Sequence, residues 1–189
     1  MPSYTVDEQN VEWAEADLKS FLLDFLRSSQ ADNVYVIGHS MGTRALSRSI
    51  VSIGSDDPEL AKKVKGVILA APDIDARVFK RDIAPKLVSA GRNVTLYASS
   101  NDKALGLSKK IHGYQRAGET IGELVVVSGM DTIDASKVDT SLVGHNYYGD
   151  NRSIISDMHY LLKTQMPVKD RAGLSSVGKE PALYWMFRP

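Results

Sequence analysis

The sequence predicts an α/β fold, a three-layer α/β/α arrangement around a mainly parallel sheet, and two observations carry that prediction. Strand-sized apolar runs alternate with helical stretches along the chain, which is the rhythm of parallel strands joined by crossover helices. Val-Tyr-Val-Ile, Val-Ile-Leu and Leu-Val-Val-Val are also continuously apolar instead of alternating in polarity, as strands covered on both faces are. A third feature, Gly38-His39-Ser40-Met41-Gly42, marks a sharp turn between the first run and the helix after it.

Each element has a local reason. A first helix is expected over Asp7 to Ser28, where Trp13, Ala16, Leu18, Phe21, Leu22 and Phe25 recur near helical spacing and are assigned to the core. The first strand runs from Asn33 to Gly38 and leads into a helix from Met41 to Ile53. Ser55-Asp56-Asp57-Pro58-Glu59 reads as a cap with proline at the first helical position, so a short extra helix precedes the second strand, Lys65 to Ala70. Helices follow over Asp75 to Val88, Asp102 to Ile111 and Asn151 to Thr164, with strands at Asn93 to Ser99 and Glu123 to Ser128 between them. Pro167 to Pro189 reads as an irregular tail whose Tyr184-Trp185-Met186-Phe187 docks on the body, and residues 1–189 read as one domain.

Composition narrows the chemistry. With 189 residues and 43% hydrophobic content the chain can bury a core, and its 23 basic residues balance 23 acidic ones, so no net field favours nucleic acid or an anionic membrane. Neutral substrates fit best. The absence of cysteine excludes disulfides, thiolate catalysis and cysteine-ligated zinc from this chain. The four histidines show no metal-ligand spacing, and neither a metal nor an organic cofactor is expected. The turn lacks the third glycine of a dinucleotide fingerprint and the Gly-Lys-Ser/Thr ending of a P-loop. No span of about 18 apolar residues and no leader-like segment is visible, so the cytoplasm is the default location.

Gly-x-Ser-x-Gly between a strand and a helix is the layout of a nucleophile elbow, with the serine Oγ exposed above the sheet and glycines leaving room for the turn. A serine hydroxyl is a poor nucleophile at neutral pH and needs a base, which in turn needs an orienting carboxylate. Asp102 follows the strand Asn93 to Ser99, on the same sheet edge as Ser40. The bland reading of Asp102 is an N-cap, a role compatible with catalysis. Asp75 follows the second strand and is the reserve acid. His145 lies in a long loop from Gly129 onward, just before the last helix, and is the candidate base. Met41 N–H is the candidate oxyanion donor. His39, His112 and His159 read as structural.

Val-Ile-Gly-His-Ser-Met-Gly-Thr-Arg at 36–44, Ala-Ala-Pro-Asp-Ile-Asp at 70–75, Val-Thr-Leu-Tyr-Ala-Ser-Ser-Asn-Asp at 94–102 and Gly-His-Asn-Tyr-Tyr at 144–148 together resemble a bacterial group of α/β-hydrolases catalogued as a domain of unknown function. The resemblance runs from about Tyr4 to the last helix and implies Ser40, Asp102 and His145 as nucleophile, acid and base. α/β-Hydrolases have further strands before the elbow strand, and the loop after the third supplies a second oxyanion amide. The chain therefore reads as the carboxyl half of such a domain. A serine hydrolase of carboxylic esters is the expected function, and a hydrolase-like binding or scaffold protein lacking a complete oxyanion hole is the alternative. The partners expected are a small ester and, through an exposed elbow strand, other copies of the chain.

Overall fold

The computed structural model describes residues 2–90, 92–138 and 151–188. Helix α1 (Pro2–Ser28) leads to β1 (Val34–His39), and α2 (Gly42–Asp56) and α3 (Pro58–Ala61) lead to β2 (Val64–Ala70). Asp57 caps α3 by accepting from Leu60 N–H, with Pro58 at the helix start, as the local sequence predicts. From α4 (Ala76–Val78) the chain passes through a π-helical turn, Phe79–Ile83, into α5 (Ala84–Ser89) and then β3 (Asn93–Ala98) and α6 (Lys103–His112). After β4 (Met130–Asp134) come α7 (Arg152–His159), β5 (Leu174–Val177) and β6 (Tyr184–Phe187).

The six strands form one sheet in the order β1-β2-β3-β4-β6-β5. β1 to β4 and β6 are parallel, and β5 is antiparallel to β6. Val36 of β1, Val67 and Leu69 of β2 and Val94 and Leu96 of β3 join Leu22 and Leu26 of α1, Ile50 and Ile53 of α2 and Leu87 of α5 in one core. Alternate strand residues Ile68, Tyr97 and Ile133 form a second core with Leu105 of α6 and Ile154 and Met158 of α7. The α/β/α sandwich is thus present, with a core on each face.

Four expectations are corrected. The fourth strand is Met130–Asp134, not Glu123 to Ser128. The apolar run Leu124 to Val127 is an extended segment whose Val125 is buried in the first core, so its hydrophobicity serves packing without ladder pairing. β4 is half polar because distant groups satisfy it: Thr132 Oγ1 donates to Val125 O at 2.8 Å, and Asp131 accepts from Arg171 at 3.0 Å. The tail is not irregular, since β6 adds to β4 with Ile133 opposite Trp185 and β5 adds to β6. Arg171 secures this extension, its fully buried guanidinium also reaching Asp157 of α7 at 3.0 Å. In α1, Trp13 and Phe21 are exposed (78% and 63%) while Leu22 and Leu26 are buried. Apolar residues stand on more than one side of this helix, and the side carrying Leu18, Leu22 and Leu26 meets the core. Finally, β1 is an edge strand among the described residues, so its Ile37 is 52% exposed and burial of both faces does not hold there.

Candidate active site

The strand-turn-helix at Ser40 has the geometry its sequence predicts. Ser40 adopts φ 51°, a left-handed conformation that costs a non-glycine residue free energy and persists only where neighbours hold it. Its N–H donates to Ala70 O at 3.0 Å. Its carbonyl accepts from Thr43 N–H at 3.1 Å, Thr43 Oγ1 at 2.6 Å and Asp73 N–H at 3.3 Å. The two flanking glycines differ in purpose. A Cβ on Gly38 would lie 2.8 Å from Leu46 Cδ2 and 3.3 Å from the Thr43 Cα, so glycine there lets α2 pass close over β1. A Cβ on Gly42 would meet nothing within 4 Å, and this glycine lies in ordinary helical backbone. Met41 precedes it in a helical conformation, and among the described residues its N–H has no acceptor.

The two candidate acids are both helix caps. Asp102, 5% exposed, follows β3 and accepts from Leu105 N–H at 3.0 Å. Asp75 accepts from Arg77 N–H at 2.8 Å and Val78 N–H at 3.2 Å. Ser40 and Asp102 sit at the same carboxyl edge with β2 between their strands, an offset of roughly 10 Å from two strand spacings. His145 lies outside the described residues. A cavity of about 710 Å³ opens between Thr120, Glu123, Val126, Asp134 and Tyr184, and none of Ser40, Met41, Asp75 or Asp102 lines it. Among the described residues no group of three His, Asp or Glu side chains is placed to hold a metal, and no helix is long and apolar enough to cross a membrane.

Sequence reasoning missed the polar hub beside the elbow. Asp73, in the loop after β2, has a side chain only 2% exposed. Its Oδ1 accepts from Ser108 Oγ and Arg116 Nε, each at 2.6 Å, and its Oδ2 accepts from Tyr4 and faces Arg44 Nη2 at 3.3 Å. Arg44, on the elbow helix, donates Nε to Asp73 O at 2.5 Å and pairs with Glu8 of α1. His112 Nε2 meets Glu8 at 2.9 Å and Arg116 Nη2 meets His112 Nδ1 at 3.1 Å. Burial alone would raise the Asp73 pKa, but the bonds from Ser108 and Tyr4 and the charges of Arg116 and Arg44 hold it below the usual carboxylate range. Arg44 and Asp73 stand in the sequence as charges in apolar surroundings; the partners that make them a hub come from up to 69 residues away.

Over this edge the 113–119 loop closes. Ala117 N–H donates to Ile74 O at 2.8 Å, Gly118 N–H to Pro72 O at 2.9 Å, and Ser99 N–H to Gly118 O at 2.9 Å. The arrangement is a serine on a strained turn, a helix-start amide beside it that has no acceptor among the described residues, and acidic residues on the next two strand ends. The sequence profile of an alpha/beta hydrolase family of unknown function, DUF900, matches residues 1–164. The chain belongs to this family. It is a hydrolase in that general sense, as the resemblance of its motifs implies, and the six-stranded, mostly parallel sheet is the alpha/beta fold of the hydrolase. No curated protein and no solved structure matches the hydrolase chain.

Proposed function

We propose that this hydrolase cleaves carboxylic esters through an acyl-enzyme formed on Ser40. The observation that carries the proposal is the left-handed Ser40, φ 51°, joined to a following amide with no acceptor among the described residues. Ser40 Oγ attacks the ester carbonyl while His145 takes its proton. Asp102 orients the imidazole, and the Met41 N–H, at the positive end of α2, stabilises the oxyanion. The imidazolium then protonates the leaving alkoxide, and water deacylates the serine by the same steps in reverse. The two-strand offset between Ser40 and Asp102 leaves room for an imidazole between them, and chain order, Ser40 then Asp102 then His145, agrees with this assignment.

An active-site fluorophosphonate and a chromogenic ester test the reading. Labelling is expected at Ser40 alone, and Ser40→Ala abolishes labelling and turnover together. Asp102→Asn is expected to lower turnover by about three to four powers of ten with the fold intact, and Asp75→Asn far less. Turnover that survives in Ser40→Ala refutes the nucleophile, and the reverse ranking of the two carboxylates moves the acid to the β2 loop.

A further inference from the structure

The amino-terminal edge of the sheet carries a second polar feature, remote from the elbow. Arg92, just before β3, is 5% exposed. Its Nε and Nη2 are shielded from solvent and have no hydrogen-bond acceptor among the described residues. Arginine stays charged at neutral pH, although burial pulls its pKa down, and an unpaired buried cation is among the most destabilising features a fold can carry. The chain also makes room for it. A Cβ on Gly54, in the last turn of α2, would lie 3.3 Å from Arg92 Nη2, and a glycine stands there despite its unfavourable helix propensity. Arg92 borders a cavity of about 360 Å³ together with Lys62, Ser89, Pro58 and Ala61, and no acidic residue among those described lines it. Lys62 is engaged by Glu59 at 2.6 Å, but that pair is solvent-exposed and its remaining ammonium protons are free for another acceptor.

We propose that this cavity binds the phosphate group of a small phosphorylated ligand, with Arg92 and Lys62 as its cationic partners. Two cationic residues bordering one space suit a dianion with several acceptor oxygens better than a carboxylate. The volume exceeds that of phosphate alone, and Pro58 and Ala61 offer an apolar wall to the remainder of the ligand. Six residues of β3 separate Arg92 from the carboxyl edge, roughly 20 Å, so occupancy does not block Ser40. The site stands independently of the esterase reading.

Inorganic phosphate is the probe, titrated into the full chain at constant ionic strength with sodium chloride as the balancing salt. At a hundredfold excess over its dissociation constant it is expected to raise the melting temperature by about 5–10 °C. Arg92→Met, of similar length and uncharged, removes the concentration dependence and leaves the phosphate-free melting temperature equal or higher, because the orphaned charge is gone. Gly54→Ala gives a second measurement: its methyl, 3.3 Å from Nη2, nudges the guanidinium and weakens the phosphate response while the fold is kept. Phosphorus NMR line broadening follows the same order. Equal melting shifts in the wild type and Arg92→Met, which reflect general salt stabilisation, or an equal response to acetate, overturn the proposal.

Discussion

Replacing Asp73 by asparagine removes one charge and one acceptor from the most connected buried side chain at the elbow. The wild-type carboxylate takes two 2.6 Å bonds on Oδ1, from Ser108 and Arg116, and meets Tyr4 and Arg44 on Oδ2. An asparagine has one carbonyl oxygen for these donors and turns its own N–H groups toward a guanidinium. Arg116, whose side chain is 5% exposed, is left buried without its counter-charge, a loss of about 3–5 kcal/mol. Against a typical stability of about 5–15 kcal/mol that is large, and melting is expected to fall by about 10 °C. The pH dependence identifies the cause. The folded pKa of Asp73 is depressed below its ordinary value of 3.8, so its stabilisation is complete above that value and is lost as pH falls through the folded pKa. Urea unfolding of wild type and Asp73→Asn between pH 8 and pH 3 should therefore show a constant gap down to about pH 4 and a narrowing gap below. A gap under about 1 kcal/mol at pH 7, or one that stays constant to pH 3, refutes the hub's electrostatic role.

Gly38→Ala forces a Cβ against Leu46 and the Thr43 backbone and is expected to cost about 1–3 kcal/mol and to slow fluorophosphonate labelling, whereas Gly42→Ala, with open space around it, is neutral or stabilising by up to about 1 kcal/mol; urea denaturation ranks the two, and equal costs contradict the packing account. The open edge of β1, with Ile37 52% exposed, is expected to drive concentration-dependent self-association; Ile37→Lys should reduce it in light scattering, and an unchanged association constant rules out this edge as the contact.

The fold class, the parallel order of β1 to β3, the helix starts at Asp57 and Asp102 and the turn at Ser40 were legible in the sequence, because each depends on neighbours within one turn or one strand. A serine between glycines after four apolar residues states its own backbone geometry, and an aspartate before a helix states its cap. What failed depended on distance along the chain. Hydrophobicity favoured Leu124 to Val127 over Met130 to Asp134 as the strand, since the polar strand draws a partner from Arg171, 40 residues on, and the apolar segment packs without pairing. Trp13 and Leu22 occupy similar sequence patterns, and only the position of α2 decides which is buried. The local sequence by itself determined where backbone turns, caps and strands begin. Tertiary structure alone decided which faces are covered and which charges meet, because burial and ion pairing are properties of contacts between residues that the chain order keeps far apart.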